Sequence, residues 1–373
     1  MALNPSGAIS LGGPVAGQSI ALELGLSPTA VITLNDTAVR TLAGVPSGAI
    51  IMPTNFWGKS NIVVVPTQQA IFGFGDAGNP LDTRQSTNLV SNTGVVATEV
   101  NNPTAQRRSS LAAATYGGDK ALFGFGNAGT PVSGLTAITN LVSNTGVVAA
   151  DTPGVGTVRR DLAAAGYGAD KALFGFGNAG SPIYATAITN LVSNTGVVAA
   201  DTPGVGTIRR QLSATRYGGG GKAIFGFGVT AAPTSTFTSI TNLVSTTGVV
   251  ATDTPGVGTA RSGSSAATYG GDKALFAYGT VSPVNITVSN LVSNTGVVAA
   301  DTPVLGVRFN GAAAGYGGDK AIFGYGRTAV TPSPSPGYIS SNNLVSNTGV
   351  IAATTSGQPR SRGQLACAGF SST

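Results

Sequence analysis

One arginine recurs six times in this sequence, at Arg108, Arg159, Arg209, Arg261, Arg308 and Arg362, and an aromatic residue follows each at the same interval: Tyr116, Tyr167, Tyr217, Tyr269, Tyr316 and Phe370. Guanidinium is a planar, charged fork that takes carboxylate or phosphate bidentately. If the six copies surround a common axis with their arginines on one face, the spacing predicts a ring of guanidinium groups able to hold an acidic sugar. A structural alternative stands beside it. Glu99, Asp151, Asp201, Asp253 and Asp301 precede the arginines by seven to nine residues in five copies, and partly buried charges are usually paired. The sixth copy carries Thr354 at the acidic position, so Arg362 is the arginine expected to be free.

Other chemistry is scarce. The chain has no His and one Cys, which removes the usual transition-metal ligands, a disulfide framework and the His-based triads and dyads. No metal and no cofactor are expected. Asp119, Asp170, Asp272 and Asp319 recur in Tyr-Gly-Gly-Asp-Lys-type turns and read as turn residues. Glycoside hydrolysis needs two carboxyl groups at one site. Of 14 acids, Asp76, Asp82 and Asp161 are the unrepeated ones within the repeat region, and nothing in the sequence links them. Cys367 replaces an Ala of a repeated strand and reads as a buried, inert thiol. An enzyme is not expected.

The elements that must position these residues also repeat. The pair Phe72/Phe74 returns as Phe123/Phe125, Phe174/Phe176, Phe225/Phe227, Phe276/Tyr278 and Phe323/Tyr325, about 50 residues apart. A block Thr-Asn-Leu-Val-Ser-Asn-Thr-Gly starts at Thr87, Thr139 and Thr189 and returns in altered form around Asn242, Asn290 and Asn343. Each copy offers about four short strands separated by Gly, Asn, Asp and Pro turns, the size of a propeller blade. Alternation puts both rings of Phe-Gly-Phe-Gly on one face and glycine on the other, so each sheet is expected to lay its aromatics on its neighbour's bare backbone. The period, the Arg-rich start, the Gly-Tyr turn and the Phe-Gly-Phe-Gly strand resemble kelch-type β-propeller repeats over residues 69–373, without the usual kelch Trp and double glycine. The first copy lacks an Arg…Tyr strand and the chain ends with a spare one, 362–370. The expectation is therefore an all-β protein whose six-bladed, kelch-like propeller is closed by the C-terminal strand.

Residues 1–60 lack the period and hold the single Trp, Trp57. Residues 30–34 alternate like a strand, and Asn35-Asp36 offers an N-cap for a short helix ending at Gly44, which gives a small, mainly-β module followed by a connector over 61–68. The segments 6–13 and 34–45 and the ending Asn55-Phe56-Trp57-Gly58-Lys59-Ser60 resemble a short N-terminal module of tailed-bacteriophage tail and baseplate proteins. That resemblance implies a virion structural protein docked to other tail proteins through residues 1–60, in several copies, with the propeller displayed toward a host-surface glycan. Purely architectural or capsid-decorating roles and a carbohydrate-cleaving role remain alternatives. The net charge of +6 comes from 20 basic and 14 acidic residues spread along the chain rather than in a block, so nucleic acid is not an expected partner. No apolar run is long enough to span a bilayer and residues 1–10 lack a signal-peptide pattern, so localisation to the virion after synthesis in the host cytoplasm is expected.

What differs between copies is the segment after each Phe-Gly-Phe-Gly strand: 76–86, 127–138, 178–188, 229–240, 280–288 and 327–341. Loops on a rigid frame are where recognition is usually placed. Arg84, Tyr184, Phe237, Arg327 and Tyr338, with Arg362, are the residues expected to stack on or hydrogen-bond a saccharide. Drift of solvated loops is the alternative. Residues 331–336, rich in Pro and Ser, read as an extended segment.

Overall fold

Each copy of the repeat folds as an antiparallel sheet. Ala112–Tyr116 pairs with Lys120–Gly124, from Ala112↔Gly124 to Tyr116↔Lys120, and Lys120–Gly124 pairs in turn with Thr139–Val142. The hairpin turns through Gly117 and Gly118 at φ 62° and 80°, the left-handed conformation that glycine adopts without a Cβ clash. The computed structural model describes residues 3–372 apart from residues 5, 16–17, 25, 46, 57–66, 78–82, 130–133, 181–183, 220, 232–234, 329–336 and 358. The expected roles of Trp57, Asp82 and the 331–336 segment, and most of the expected connector, lie outside the described residues. The chain divides into two units, Met1–Val65 and Pro66–Thr373.

The second unit is all-β, with many small antiparallel sheets. Six of them share the strand order just described. In the first, the strand beside Thr67–Gly73 comes from the other end of the chain: Ala366–Ser372 pairs with it antiparallel from Thr67↔Ser372 to Gly73↔Ala366. The innermost strands neighbour one another in succession, and Ala366–Ser372 lies beside both Ala312–Tyr316 and Ala112–Tyr116. A second feature follows the same cycle. The N–H of Ser110 donates to the Gln364 carbonyl at 2.8 Å, and Gln364 to Asn310, Asn310 to Gly263, Gly263 to Gln211, Gln211 to Asp161 and Asp161 to Ser110, all at 2.8–2.9 Å. All six residues sit at φ between 50° and 61°, so one left-handed residue per sheet turns its amide toward the carbonyl of the sheet beside it.

The aromatic pairs do not share one face. Phe74, Phe125, Phe176, Phe227, Tyr278 and Tyr325 all have φ between 59° and 64°, a conformation that is costly for a bulky residue. That left-handed step breaks the period of two and sends the second ring to the opposite neighbour. Phe72 lies edge-on to Tyr325, 5.1 Å away, whereas Phe74 meets Phe123 at 5.0 Å. The first ring does lie on the adjoining bare backbone: a Cβ placed on Gly124 would come within 2.5 Å of Phe174 Cζ. All twelve rings are buried. Burying an aromatic side chain stabilises the fold by roughly 1.5–3 kcal/mol, which offsets a left-handed residue costing about 1–3 kcal/mol.

The first unit departs from the mainly-β expectation. Its described elements are α1 (Ile20–Glu23), α2 (Thr37–Ala43) and a 3-10 turn at Thr54–Phe56, with a single parallel bridge between Ser10 and Ser19. Helix α2 begins after Asp36 and stops at Gly44, φ 72°, at the two ends that the N-cap and the glycine mark. The Asp36 carboxylate faces backward, accepting from the Thr33 amide and hydroxyl, each at 2.8 Å, and these bonds hold it below the usual carboxylate range. Residues 30–34 are not a strand. A strand needs a partner for its amides, and among the described residues of this unit none runs alongside. Ile32 and Leu34 instead pack on a core of Ile20, Val39, Leu42 and Phe56, leaving Val31 exposed. Among the described residues no helix is long and apolar enough to cross a membrane.

Candidate functional site

The six repeated arginines organise the interior of the second unit. Arg159 shows the arrangement most fully. Its guanidinium lies over the Phe125 ring of the preceding sheet, 4.6 Å from the centroid. Its Nε donates to the Phe176 carbonyl at 2.9 Å, and its Nη2 donates to Asn190 Oδ1 at 2.6 Å. Asn190 Nδ2 then donates to the Ala199 carbonyl and to Asp201 Oδ1, at 3.0 and 2.9 Å. Asp201 also accepts from the Thr157 amide and hydroxyl, and stands 3.7 Å from Arg159 Nη1. Arg, Asn and acid therefore form one chain of bonds that ties three segments of a sheet together and caps the left-handed aromatic of the sheet before. Stacking repeats at Arg108, Arg209, Arg261, Arg308 and Arg362, over Phe74, Phe176, Phe227, Tyr278 and Tyr325, and each arginine donates to the Asn of its own sheet.

Two expectations are corrected. The acid that partners an arginine follows it within its own sheet: Arg159 pairs with Asp201 and Arg209 with Asp253 at 3.6 Å, rather than with the acid seven to nine residues earlier. Antiparallel pairing folds the distant acid back beside the arginine, while the sequence-adjacent acid serves the sheet before. Thr354 therefore belongs with Arg308, accepting from Asn343 at 3.1 Å, and it is Arg308, not Arg362, whose sheet lacks the acid. The expected free arginine is the reverse of free. Arg362 is 1% exposed and donates to the Phe74 and Ser86 carbonyls and to Asn88. All six arginines are at most 1% exposed, so they offer no accessible guanidinium ring to a ligand. Burial drives Arg108, Arg159, Arg209, Arg261 and Arg308 down to about 10.

The expected saccharide contacts are scattered. Arg327 is bound to Asp76 at 3.1 Å and lies over the Tyr338 ring at 4.5 Å, so two of the expected ligand residues pair with each other where the last sheet meets the first. Phe237 is half-buried and bridges to Val229. Tyr184 is 70% exposed. Arg84 is half-buried and lines a cavity of about 440 Å³ together with Gln85, Glu99, Asn101, Arg107 and Arg360. Glu99 is the single acid among the described residues lining it, bonded to Ser86 and 3.6 Å from Arg360. This cluster was not anticipated, because Arg107 and Arg360 lie outside the varied segments: the Arg108 N–H donates to the Arg84 carbonyl at 3.2 Å and so sets Arg107 beside it, while Arg360 comes from the C-terminal segment.

The remaining acids have simple places. Asp119, Asp170, Asp272 and Asp319 pair with the lysines that follow them at 2.6–3.0 Å. Asp76 binds Arg327 at 3.1 Å, and Asp161 stands 3.7 Å from Arg160. Burial raises the Asp161 carboxyl, and Arg160, Arg210 and a Ser110 hydrogen bond oppose that rise only in part. Cys367 is buried, and its thiol is pushed well above the usual range by that burial. Among the described residues no cluster of three or more His, Cys, Asp or Glu could hold a metal ion.

The six Asn residues at 88, 140, 190, 242, 290 and 343 carry the centre of the network and were given no role from sequence, although their identity in every copy was the signal. No protein-family model matches the chain, and no curated protein matches it.

Proposed function

We propose that this chain is a structural protein of a tailed-phage virion, in which residues 1–60 dock to other tail proteins and a six-bladed, kelch-like propeller is held out to bind a host-surface glycan without cleaving it. The C-terminal strand beside Thr67–Gly73 and the six-membered cycle of amide hydrogen bonds support the propeller part of this reading. The observation that carries the binding part is the cavity of about 440 Å³ where residues 84–107 meet residues 359–360, with Arg84, Arg107 and Arg360 around one acid among the described residues. Three guanidinium groups in one concave site suit a carboxylate-bearing or phosphate-bearing sugar, which bidentate hydrogen bonds would orient. Among the described residues the cavity carries one carboxylate, Glu99, whereas hydrolysis of a glycoside calls for two.

The test is binding of the full chain to a panel of purified bacterial surface polysaccharides. Saturable binding to an acidic polysaccharide, weakened about tenfold or more by Arg84→Ala with Arg107→Ala, is the expected result. Binding to none of the panel, with the protein enclosed in intact particles, would leave the architectural role instead. One observation favours that second role. Val95, Val147, Val197, Val249, Val297 and Val350 occupy equivalent positions, each 64–67% exposed, and a repeated set of exposed apolar side chains suits contact with neighbouring proteins.

A further inference from the structure

In the first unit, residues 30–32 leave their main chain open. Among the described residues, the N–H groups of Val31 and Ile32 and the carbonyls of Ala30, Val31 and Ile32 have no hydrogen-bond partner. Local bonds tie the segment down only at its ends. The Ala30 amide donates to the Ser27 carbonyl at 2.9 Å, and the Thr33 amide and hydroxyl donate to the Asp36 carboxylate. Between those ends the side chains alternate as they would on a sheet. Ile32 and Leu34 pack on the core of the unit, whereas Val31 is 96% exposed, more than any other large apolar side chain among the described residues.

An open run of amides and carbonyls is a template for another strand, and proteins usually guard such an edge with a charge, a proline or a covering loop. Residues 29–34, Thr-Ala-Val-Ile-Thr-Leu, contain neither a charge nor a proline. The other alternating segment of the unit, residues 49–52, shows the contrast. Ile50 and Met52 pack inward there and Ile51 is 62% exposed. Its ends, however, are covered: the Arg40 guanidinium donates to the Gly48 carbonyl at 3.1 Å, and Asn55 Oδ1 accepts from the Ile51 amide at 2.6 Å. Single exposed apolar side chains are ordinary, but Val31 combines exposure with an unguarded edge.

We infer that residues 29–33 are the contact between two copies of this chain, paired as antiparallel strands about a twofold axis at Val31. The segment Thr-Ala-Val-Ile-Thr reads almost alike from either end. Val31 therefore faces Val31 of the second copy, each Thr29 faces a Thr33, and each Ala30 faces an Ile32. Opposed residues of an antiparallel pair share a face, so the two exposed valines cover each other while Ala30 and Ile32 carry one core toward the next. The pairing supplies the neighbour that residues 30–34 lack within the unit, and it serves both copies at once. Charge does not oppose it, because Arg40 and Lys59 balance Glu23 and Asp36 in residues 1–60. A unit as small as Met1–Val65 is marginal alone and gains from added burial. The short contact predicts a weak, concentration-dependent dimer rather than an obligate one. It is separate from the cavity lined by Arg84 and does not rest on the docking of residues 1–60 to tail proteins.

The experiment is analytical sedimentation of the full chain over a wide concentration range, with hydrogen exchange of the Val31 and Ile32 amides measured at both ends of that range. An equilibrium between monomer and dimer is expected, with these amides protected in the dimer beyond their protection in the monomer. Val31→Lys alters a side chain that one copy leaves in solvent, so circular dichroism and melting should show the fold unchanged. It should raise the dimer dissociation constant by about tenfold or more, because two like charges then face each other. Val147→Lys, at a valine of the second unit that is 66% exposed, should leave the equilibrium as it is. A parent chain that is monomeric at every concentration, a trimer, unprotected amides in the dimer, or equal association of the parent and Val31→Lys would each overturn the inference. Assembly into particles reads the docking of residues 1–60 separately: a parent chain that stays monomeric yet is incorporated would sink the pairing and leave that docking standing.

Discussion

Arg159 Nη1 and Asp201 Oδ1 stand 3.7 Å apart inside one sheet, joined also through Asn190. The same link is built around Arg209 and Asp253, and in the sheet of Arg308 it ends on the hydroxyl of Thr354. Thr354→Asp should therefore complete the missing charge pair and raise stability by about 1 kcal/mol, since the acid is partly exposed and screening limits its value. Thermal melting in low and high salt checks this. An unchanged melting temperature in low salt would mean that the acid contributes nothing to these networks.

The acids of the network also set a pH response. Burial raises Asp201, Asp253 and Asp301, but hydrogen bonds from Thr157, Thr207 and Thr259 and from the three Asn residues, with the arginine charges, bring the net value below the usual 3.8. A folded-state pKa below the unfolded one means stability that is present above 3.8 and lost as pH falls through the folded value. Asp161 has the opposite sign: its folded value is raised, so its charge costs stability at neutral pH and costs nothing once both states are protonated. Asp161→Asn should stabilise the protein at neutral pH, with the gain vanishing below about pH 4. Denaturant titrations of both proteins across that range read the effect, and a gain that grew on acidification would contradict it.

The ring-on-glycine contact predicts a graded cost. Gly124→Ala would push a methyl against Phe174, where a Cβ comes within 2.5 Å, and should cost about 1–3 kcal/mol. The chain contains its own comparison: Ala277 takes the equivalent position, and there the rings of Tyr278 and Phe323 lie 5.4 Å apart, against 5.0–5.1 Å in the other sheets. Chemical denaturation of Gly124→Ala and Ala277→Gly measures both directions, and no loss in the first would show that the ring has room to retreat.

Ending the chain at Gln364 should remove the partner of Thr67–Gly73 and expose its edge to other chains. Association or loss of a single cooperative unfolding transition is the expected outcome by light scattering and calorimetry. A monomer that melts as the full chain does would show that the last strand contributes little to holding the cycle together.

Much of the fold was legible because the sequence contains six versions of itself. The spacing of Arg, Phe-Gly-Phe and Asn-Leu-Val marks the three strands that pair in every copy, while the fourth expected run, Gly-Val-Val-Ala-Ala, meets its sheet through isolated bridges such as Val142↔Val148, and the missing first strand points to the chain's end as its source. The helix over Thr37–Ala43 was legible from Asp36 and Gly44, since a helix start and stop are local chemistry. The strand over residues 30–34 was misread because alternation states a preference for pleated structure, and only a neighbour can meet it.

Sequence by itself determined which residue types recur, and hence that one arginine, one asparagine and two aromatics must serve every sheet. Tertiary structure alone decided who meets whom. A left-handed φ at Phe74 and its five counterparts turns alternate rings to opposite neighbours, and antiparallel return brings Asp201 rather than Asp151 to Arg159. It also gathers Arg84, Arg107 and Arg360 around one cavity. Pairing partners far apart in the chain are chosen by burial and hydrogen-bond satisfaction over the whole molecule, which residue spacing does not encode.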